Sequence, residues 1–166
     1  MSTPQDPIQF LTLAEAQVID GAMLSTMEKF MSRITISSMR IITKIAQEMN
    51  IHAESLSAKQ IVQWIERDSQ IRNEQGEDAA FLKWTSLHPD LDFEDTRQDE
   101  VTSAHLSSHE KFLTRMVISA MQALTAITKD YSIHLEDLTA EQVIAWVERD
   151  AKVKREQGIE AAFLSW

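Results

Sequence analysis

The chain has 166 residues, a formal net charge of −10 and no cysteine. The absence of cysteine excludes disulfides, zinc–thiolate sites and cysteine nucleophiles. Three glycines and three prolines are too few for the many turns of a β-sandwich or for a glycine-rich phosphate loop. The composition therefore predicts an all-α fold.

The first ten residues, MSTPQDPIQF, show no basic start followed by an apolar core, and no stretch approaches 18 uncharged apolar residues. We therefore expect no membrane association and a cytoplasmic location. Residues 1–21 are interpreted as an N-terminal extension with room for a short helix.

The chain contains an internal duplication. When it is shifted by 82 residues, Ile19–Trp84 aligns with Val101–Trp166 without a gap, and more than two fifths of the positions are identical. We predict two helical repeats, 22–84 and 104–166, each with a long, a medium and a short helix. One repeat alone buries little apolar surface, so we expect the two to pack as a pseudo-twofold helical bundle.

The first predicted helix runs from about Leu24 to Met49, and its mate from about Leu106 to Tyr131. Its apolar residues follow a spacing of three and four, which is typical of an α-helix. Further isoleucines point away from this face, so a homodimer is an alternative to a purely internal core.

The second helix begins within the phrase LSAKQIVQWIERD, which recurs as LTAEQVIAWVERD. Ser57 with Gln60, and Thr139 with Gln142, have the spacing of a capping box, in which a hydroxyl and an amide satisfy backbone N–H groups at a helix start. Half of the repeated phrase is thus a signal for starting a helix and carries no functional message.

Gly76 and Gly158 are predicted to end these helices in a left-handed conformation. EDAAFLKW and IEAAFLSW follow as a short third helix in each repeat. Four tryptophans fall in matched pairs and are expected to anchor the core, with an exposed aromatic platform as the alternative: Trp64, Trp84, Trp146 and Trp166.

The negative charge is concentrated in residues 85–103, which carry a net charge of −5. The repeats are nearly balanced, with 8 basic and 8 acidic residues in 22–84, and 7 against 9 in 104–166. We interpret 85–103 as a solvated acidic linker, although docking on a basic partner is an alternative. No basic stripe supports direct nucleic-acid binding.

Several polar residues are shared by the two repeats and are candidates for a partner-binding patch or an inter-helix network: Glu28, Arg33, Glu66, Arg67 and Asp68, with mates Glu110, Arg115, Glu148, Arg149 and Asp150. Consecutive helix positions are about 100° apart, so Glu66, Arg67 and Asp68 cannot all face one point. We hypothesise that Arg33 bridges to Asp68 or Glu66, and Arg115 to the equivalent acid.

His52 and His134 each follow an acidic residue by four positions and precede a glutamate by two. A metal site needs three or four converging ligands, and this pattern differs from the Glu-x-x-His pairs of di-iron bundles. We interpret both histidines as capping or solvent-facing, with metal binding as the alternative. No cofactor and no metal are expected.

The sequence has no nucleophile motif such as Gly-x-Ser-x-Gly. It predicts a non-catalytic protein-interaction or regulatory protein with two equivalent repeat faces, whose partner is another protein or a second copy. One alternative is a metal-binding or hydrolytic enzyme with Glu28, Glu66 and Asp68 around a pocket near the axis, so catalysis stays open. Another is an acidic inhibitor that imitates nucleic acid.

Overall fold

The computed structural model describes residues 10–82 and 101–164. These residues form five α-helices connected by loops and 3-10 turns, without a β-strand among them. The helices are α1 (Leu13–Asp20), α2 (Thr26–Met49), α3 (Ala58–Gln75), α4 (Ser108–Tyr131) and α5 (Ala140–Gln157). Most of the predicted acidic linker lies outside the described residues, as do Trp84 and Trp166.

The first helix, α1, lies in the predicted N-terminal extension and packs on α2. Its start is a capping box between Thr12 and Glu15, with both hydrogen bonds at 3.1 Å. Arg40 of α2 donates to both oxygens of Glu15, at 2.7 and 2.5 Å, and to the carbonyl of Phe10. Ile19 on its inner side is fully buried.

The two long helices, α2 and α4, begin two residues later than predicted. Ser25 and Ser107 are their N-caps, and each hydroxyl accepts the backbone N–H three residues on at 3.1 Å. Asn50 and Ser132 close the helices in the left-handed conformation, with φ of 57° and 55°.

The second helices start as the sequence predicts. Ser57 with Gln60, and Thr139 with Gln142, form complete capping boxes, with hydrogen bonds of 2.9 and 3.2 Å in each. The repeated phrase is therefore confirmed as a helix start in both repeats.

The predicted third helices are much reduced. Gly76 and Gly158 end α3 and α5 with φ of 96° and 95°, but their ψ of 163° and 161° belongs to an extended region that glycine adopts, and not to the left-handed helical region. Among the described residues that follow, up to 82 and 164, each repeat has a single 3-10 turn, at Glu77–Ala79 and Ile159–Ala161.

The core lies between the two repeats, and α2 and α4 make the broadest helix contact within it. Trp64 and Trp146 are buried in the core. Their indole N–H groups donate to Glu48 at 3.1 Å and to Asp130 at 2.6 Å. Each of the two buried indole nitrogens therefore has a hydrogen-bond acceptor.

The two repeats are interleaved. The second helix of each repeat contacts the long helix of the other, α3 against α4 and α5 against α2. These helix contacts are reciprocal, which confirms the predicted pseudo-twofold bundle. Among the described residues, no helix is both long enough and apolar enough to cross a membrane.

Candidate functional site

Two ion pairs join the repeats at equivalent positions. The Glu28 carboxylate at the start of α2 lies 2.7 Å from the Lys154 ammonium of α5. Its mate Glu110, at the start of α4, accepts hydrogen bonds from Arg72 and from the Ser69 hydroxyl of α3, the latter at 2.7 Å. Both glutamates are buried, at 5% and 7% exposure, so these pairs are part of the inter-repeat core.

Both glutamates also complete the capping boxes of their own helices. Glu28 accepts the Ser25 N–H at 2.8 Å, and Glu110 accepts the Ser107 N–H at 2.9 Å. Burial acts most strongly on the pKa of each carboxyl and raises it, but the hydrogen bonds together bring the pKa below its usual value. The structure therefore favours the charged form of both groups.

Asp68 and Asp150 hold the chain that follows the second helix. The Asp68 carboxylate accepts the backbone N–H groups of Phe81 and Leu82 at 2.8 and 3.0 Å. Asp150 makes the same two bonds in the other repeat, at 2.8 and 3.0 Å. Asp68 also lies 3.2 Å from Arg72, four residues on in the same helix.

The hypothesised bridge from Arg33 to Asp68 or Glu66 is wrong, because these groups bind elsewhere. Arg33 pairs with Asp20 at the end of α1. Its mate Arg115 donates to the Thr102 hydroxyl at 2.8 Å. Both arginines contact the segment before their long helix.

Glu66 and Glu148 instead tie each second helix to the other repeat. Glu66 accepts the backbone N–H of His105 at 2.9 Å, and Glu148 accepts that of Met23 at 3.1 Å. In each Glu-Arg-Asp triplet, 66–68 and 148–150, the glutamate therefore binds the opposite repeat, whereas the aspartate binds its own repeat.

The central residue of the triplet, the arginine, faces solvent in both repeats. Arg149 donates to the Tyr131 hydroxyl at 3.1 Å, and its guanidinium lies 5.7 Å from the centre of that ring. Arg67 makes no hydrogen bond or ion pair with the other described residues. Of the polar residues predicted as a site, Arg67 is therefore the one most available to a partner.

Arg67 lies in an open cleft of about 880 Å³ on the outer side of α3. We call it the α3 cleft, and it is lined by Gln63, Glu66, Arg67, Gln70, Asn73, Glu74 and His105. Every lining side chain is polar, although Gln70 and Glu74 hydrogen-bond each other at 3.2 Å.

The two histidines meet on the pseudo-twofold axis, a convergence that the sequence reasoning missed. Their rings stack with centroids 4.5 Å apart and planes 5° from parallel. His134 Nδ1 lies 2.9 Å from Glu54, and His52 Nδ1 lies 3.9 Å from Glu136. We call His52, Glu54, His134 and Glu136 the axial cluster. The sequence indicated that these residues are equivalent through their offset of 82 residues.

The carboxyl groups of the axial cluster also accept backbone N–H groups across the repeats. Leu135 donates to Glu54 at 2.7 Å, and Ala53 donates to Glu136 at 2.8 Å. The hydrogen bond with Glu54 raises the pKa of His134 above its usual value. Burial acts most strongly on the pKa of Glu54 and raises it, but hydrogen bonds with His134 and the backbone lower it overall.

The carboxylates that the enzyme alternative would gather into one pocket belong to separate contacts. Glu28 binds Lys154, Asp68 binds Arg72 and two backbone N–H groups, and only Glu66 lines the α3 cleft. Residues 85–103, which carry half of the net charge of −10, lie almost entirely outside the described part of the chain, so the nucleic-acid-mimic alternative stays a prediction.

The chain belongs to the family described as NDH complex assembly factor CRR9. The family model matches twice, at residues 11–88 and 91–166, and each match contains one of the two repeats. The chain is thus a tandem pair of one family unit. No curated protein and no solved structure matches it.

Proposed function

We propose that this protein is a non-catalytic assembly factor for an NDH complex and that it works by binding a protein component of that complex. The observation that carries the proposal is the match of both repeats to a family described in these terms. Many of the shared polar residues make hydrogen bonds or ion pairs between and within the repeats. This is consistent with a rigid scaffold whose outer surface binds a partner.

We further propose that the α3 cleft is the surface that meets the partner. Arginine is enriched at protein interfaces, because its flat guanidinium can form several hydrogen bonds at once. Arg67 is exposed in a cleft lined by amides and carboxylates. Obligate interfaces are more apolar than transient ones, so a polar surface fits an assembly factor that has to leave the finished complex.

Affinity purification of the full chain from its native host, with NDH subunits quantified by mass spectrometry, tests the proposal. We expect NDH subunits to be enriched with the wild type and reduced severalfold with Arg67→Ala. Arg149→Ala is the matched control, because it removes the equivalent arginine from the other repeat and should leave the enrichment unchanged. Equal recovery with all three proteins would contradict the role of the cleft.

With this role the protein would be located where the NDH complex is assembled. The cytoplasmic location expected from the sequence stays a prediction. Binding to a second copy of the chain also stays a prediction. Exposed apolar side chains such as Met23 and Met27, at 73% and 59% exposure, offer a surface for it.

A further inference from the structure

The axial cluster is the one group among the described residues in which several metal-binding side chains converge. Each repeat supplies a histidine and, two residues later, a glutamate from a 3-10 turn. One ligand atom from each of the four side chains lies within 4.8 Å of the others. The duplication therefore builds a four-donor site from two identical halves.

The carboxylates of the cluster are already oriented by the protein. One oxygen of Glu54 is held by the Leu135 N–H at 2.7 Å, and one oxygen of Glu136 by the Ala53 N–H at 2.8 Å. Metal-binding carboxylates in proteins are commonly fixed by such hydrogen bonds, which leave the second oxygen for the ion. In Glu54 that second oxygen is the atom beside His134 Nδ1, whereas in Glu136 the oxygen held by Ala53 is also the one that lies 3.9 Å from His52 Nδ1.

We propose that the axial cluster binds one divalent transition-metal ion of the zinc class between the two repeats. Two imidazole nitrogens and two carboxylate oxygens suit such an ion, whereas Ca²⁺ and Mg²⁺ prefer ligands that are all oxygen. This inference does not depend on the proposed assembly role.

Metal binding needs a small contraction of the cluster and a rotation of the two rings, because stacked parallel imidazoles cannot both direct their in-plane lone pairs at one ion. Tetrahedral ligands at zinc–ligand distances of 2.0–2.2 Å are about 3.3–3.6 Å apart, so the cluster would contract by roughly 1 Å. The side chains of His52 and His134 are 66% and 58% exposed, and they can rotate out of their stack without disturbing the core. The competing account is a stacked, hydrogen-bonded contact that binds no metal.

A metal ion held by both repeats would also stabilise the folded chain, since the unfolded chain has no assembled site. At a free zinc concentration 100-fold above Kd, we expect the Tm to rise by about 5–10 °C for a chain of this size.

The test uses the untagged full chain, first stripped with a chelator and then titrated with Zn²⁺ by calorimetry. Metal analysis after gel filtration gives the stoichiometry, and Co²⁺ substitution reports tetrahedral coordination through its intense visible absorption. His52→Ala and His134→Ala remove one ligand each from an exposed position. His105→Ala is the control for zinc binding, because it removes a histidine that lies in the α3 cleft and outside the axial cluster.

We expect one Zn²⁺ per monomeric chain, an affinity at least about tenfold lower in His52→Ala and in His134→Ala, and no change in His105→Ala. Circular dichroism of each variant verifies that it folds. Three results would overturn the proposal: no stoichiometric zinc at micromolar concentrations, equal binding by all variants, or half an ion per chain with dimer formation.

Discussion

The Glu28 carboxylate and the Lys154 ammonium lie 2.7 Å apart and join the first long helix to the last helix of the chain. The pair has a counterpart in Glu110 and Arg72, which joins the same two kinds of helix in the reverse direction. The two repeats are therefore held by reciprocal ion pairs, each involving a glutamate that also caps a helix.

Lys154→Ala should lower the free energy of unfolding by about 2 kcal/mol, because it leaves the buried Glu28 carboxylate without its cation. Urea denaturation followed by circular dichroism measures the change. Lys152→Ala is the matched control, since Lys152 is an exposed lysine of the same helix, and its effect should stay within about 0.5 kcal/mol. Equal losses of unfolding free energy in both variants would contradict a stabilising role of the Glu28–Lys154 ion pair.

Acid should destabilise the protein through Glu28 and Glu110. Their pKa values are lowered on folding, so their contribution is complete above the unfolded value of 4.5 and is lost as the pH falls through the folded pKa values. Stability should therefore decline below about pH 5 and more steeply in the wild type than in Glu28→Gln/Glu110→Gln. Urea midpoints from pH 7 to 3 measure the slopes; parallel profiles would contradict this assignment.

Gly76→Ala and Gly158→Ala should each cost about 1–3 kcal/mol, because a side chain is strained at their backbone angles. A Cβ at either position would meet no atom within 4 Å, so the cost is conformational and not a clash. Gly21→Ala is the control: φ there is −86°, and the new Cβ would contact only carbonyl oxygens, the nearest at 3.6 Å. A loss for Gly21→Ala as large as for the other two would refute the explanation.

A photo-crosslinking residue at Gln70 should capture a subunit or assembly intermediate of the NDH complex, since Gln70 lines the α3 cleft. The same residue at Lys152, the equivalent position of the other repeat, provides the comparison. Mass spectrometry of the crosslinked products identifies the captured protein. Products that form only from Lys152 would place the interface on the second repeat.

The starts of the second helices were predictable because capping is local: Ser57 and Gln60 lie three residues apart, and their hydrogen bonds need no other part of the chain. The pairing of Glu28 with Lys154 was not predictable, because it depends on which repeat each second helix packs against. Arg72 and Lys154 are equivalent in position and charge, and their four-residue spacing from Asp68 and Asp150 indicated only pairs within one helix.

The partner of Arg33 was likewise not predictable from the sequence. Its helix position was correct, but its partner lies on α1, in the segment interpreted as an extension and not in the repeat itself. The axial cluster was missed for a related reason. His52 and Glu54 offer two ligands, and only the pseudo-twofold axis brings the second pair beside them.

The most direct test of the assembly role is to measure the amount of assembled NDH complex in a host in which the gene for this protein has been deleted. Native gel electrophoresis with antibodies to NDH subunits measures it, and the deletion strain is complemented with the wild type, Arg67→Ala or Arg149→Ala. We expect the complex to be lost on deletion and restored by the wild type and Arg149→Ala, with only partial recovery by Arg67→Ala. An undiminished amount of complex in the deletion strain would contradict the proposed function.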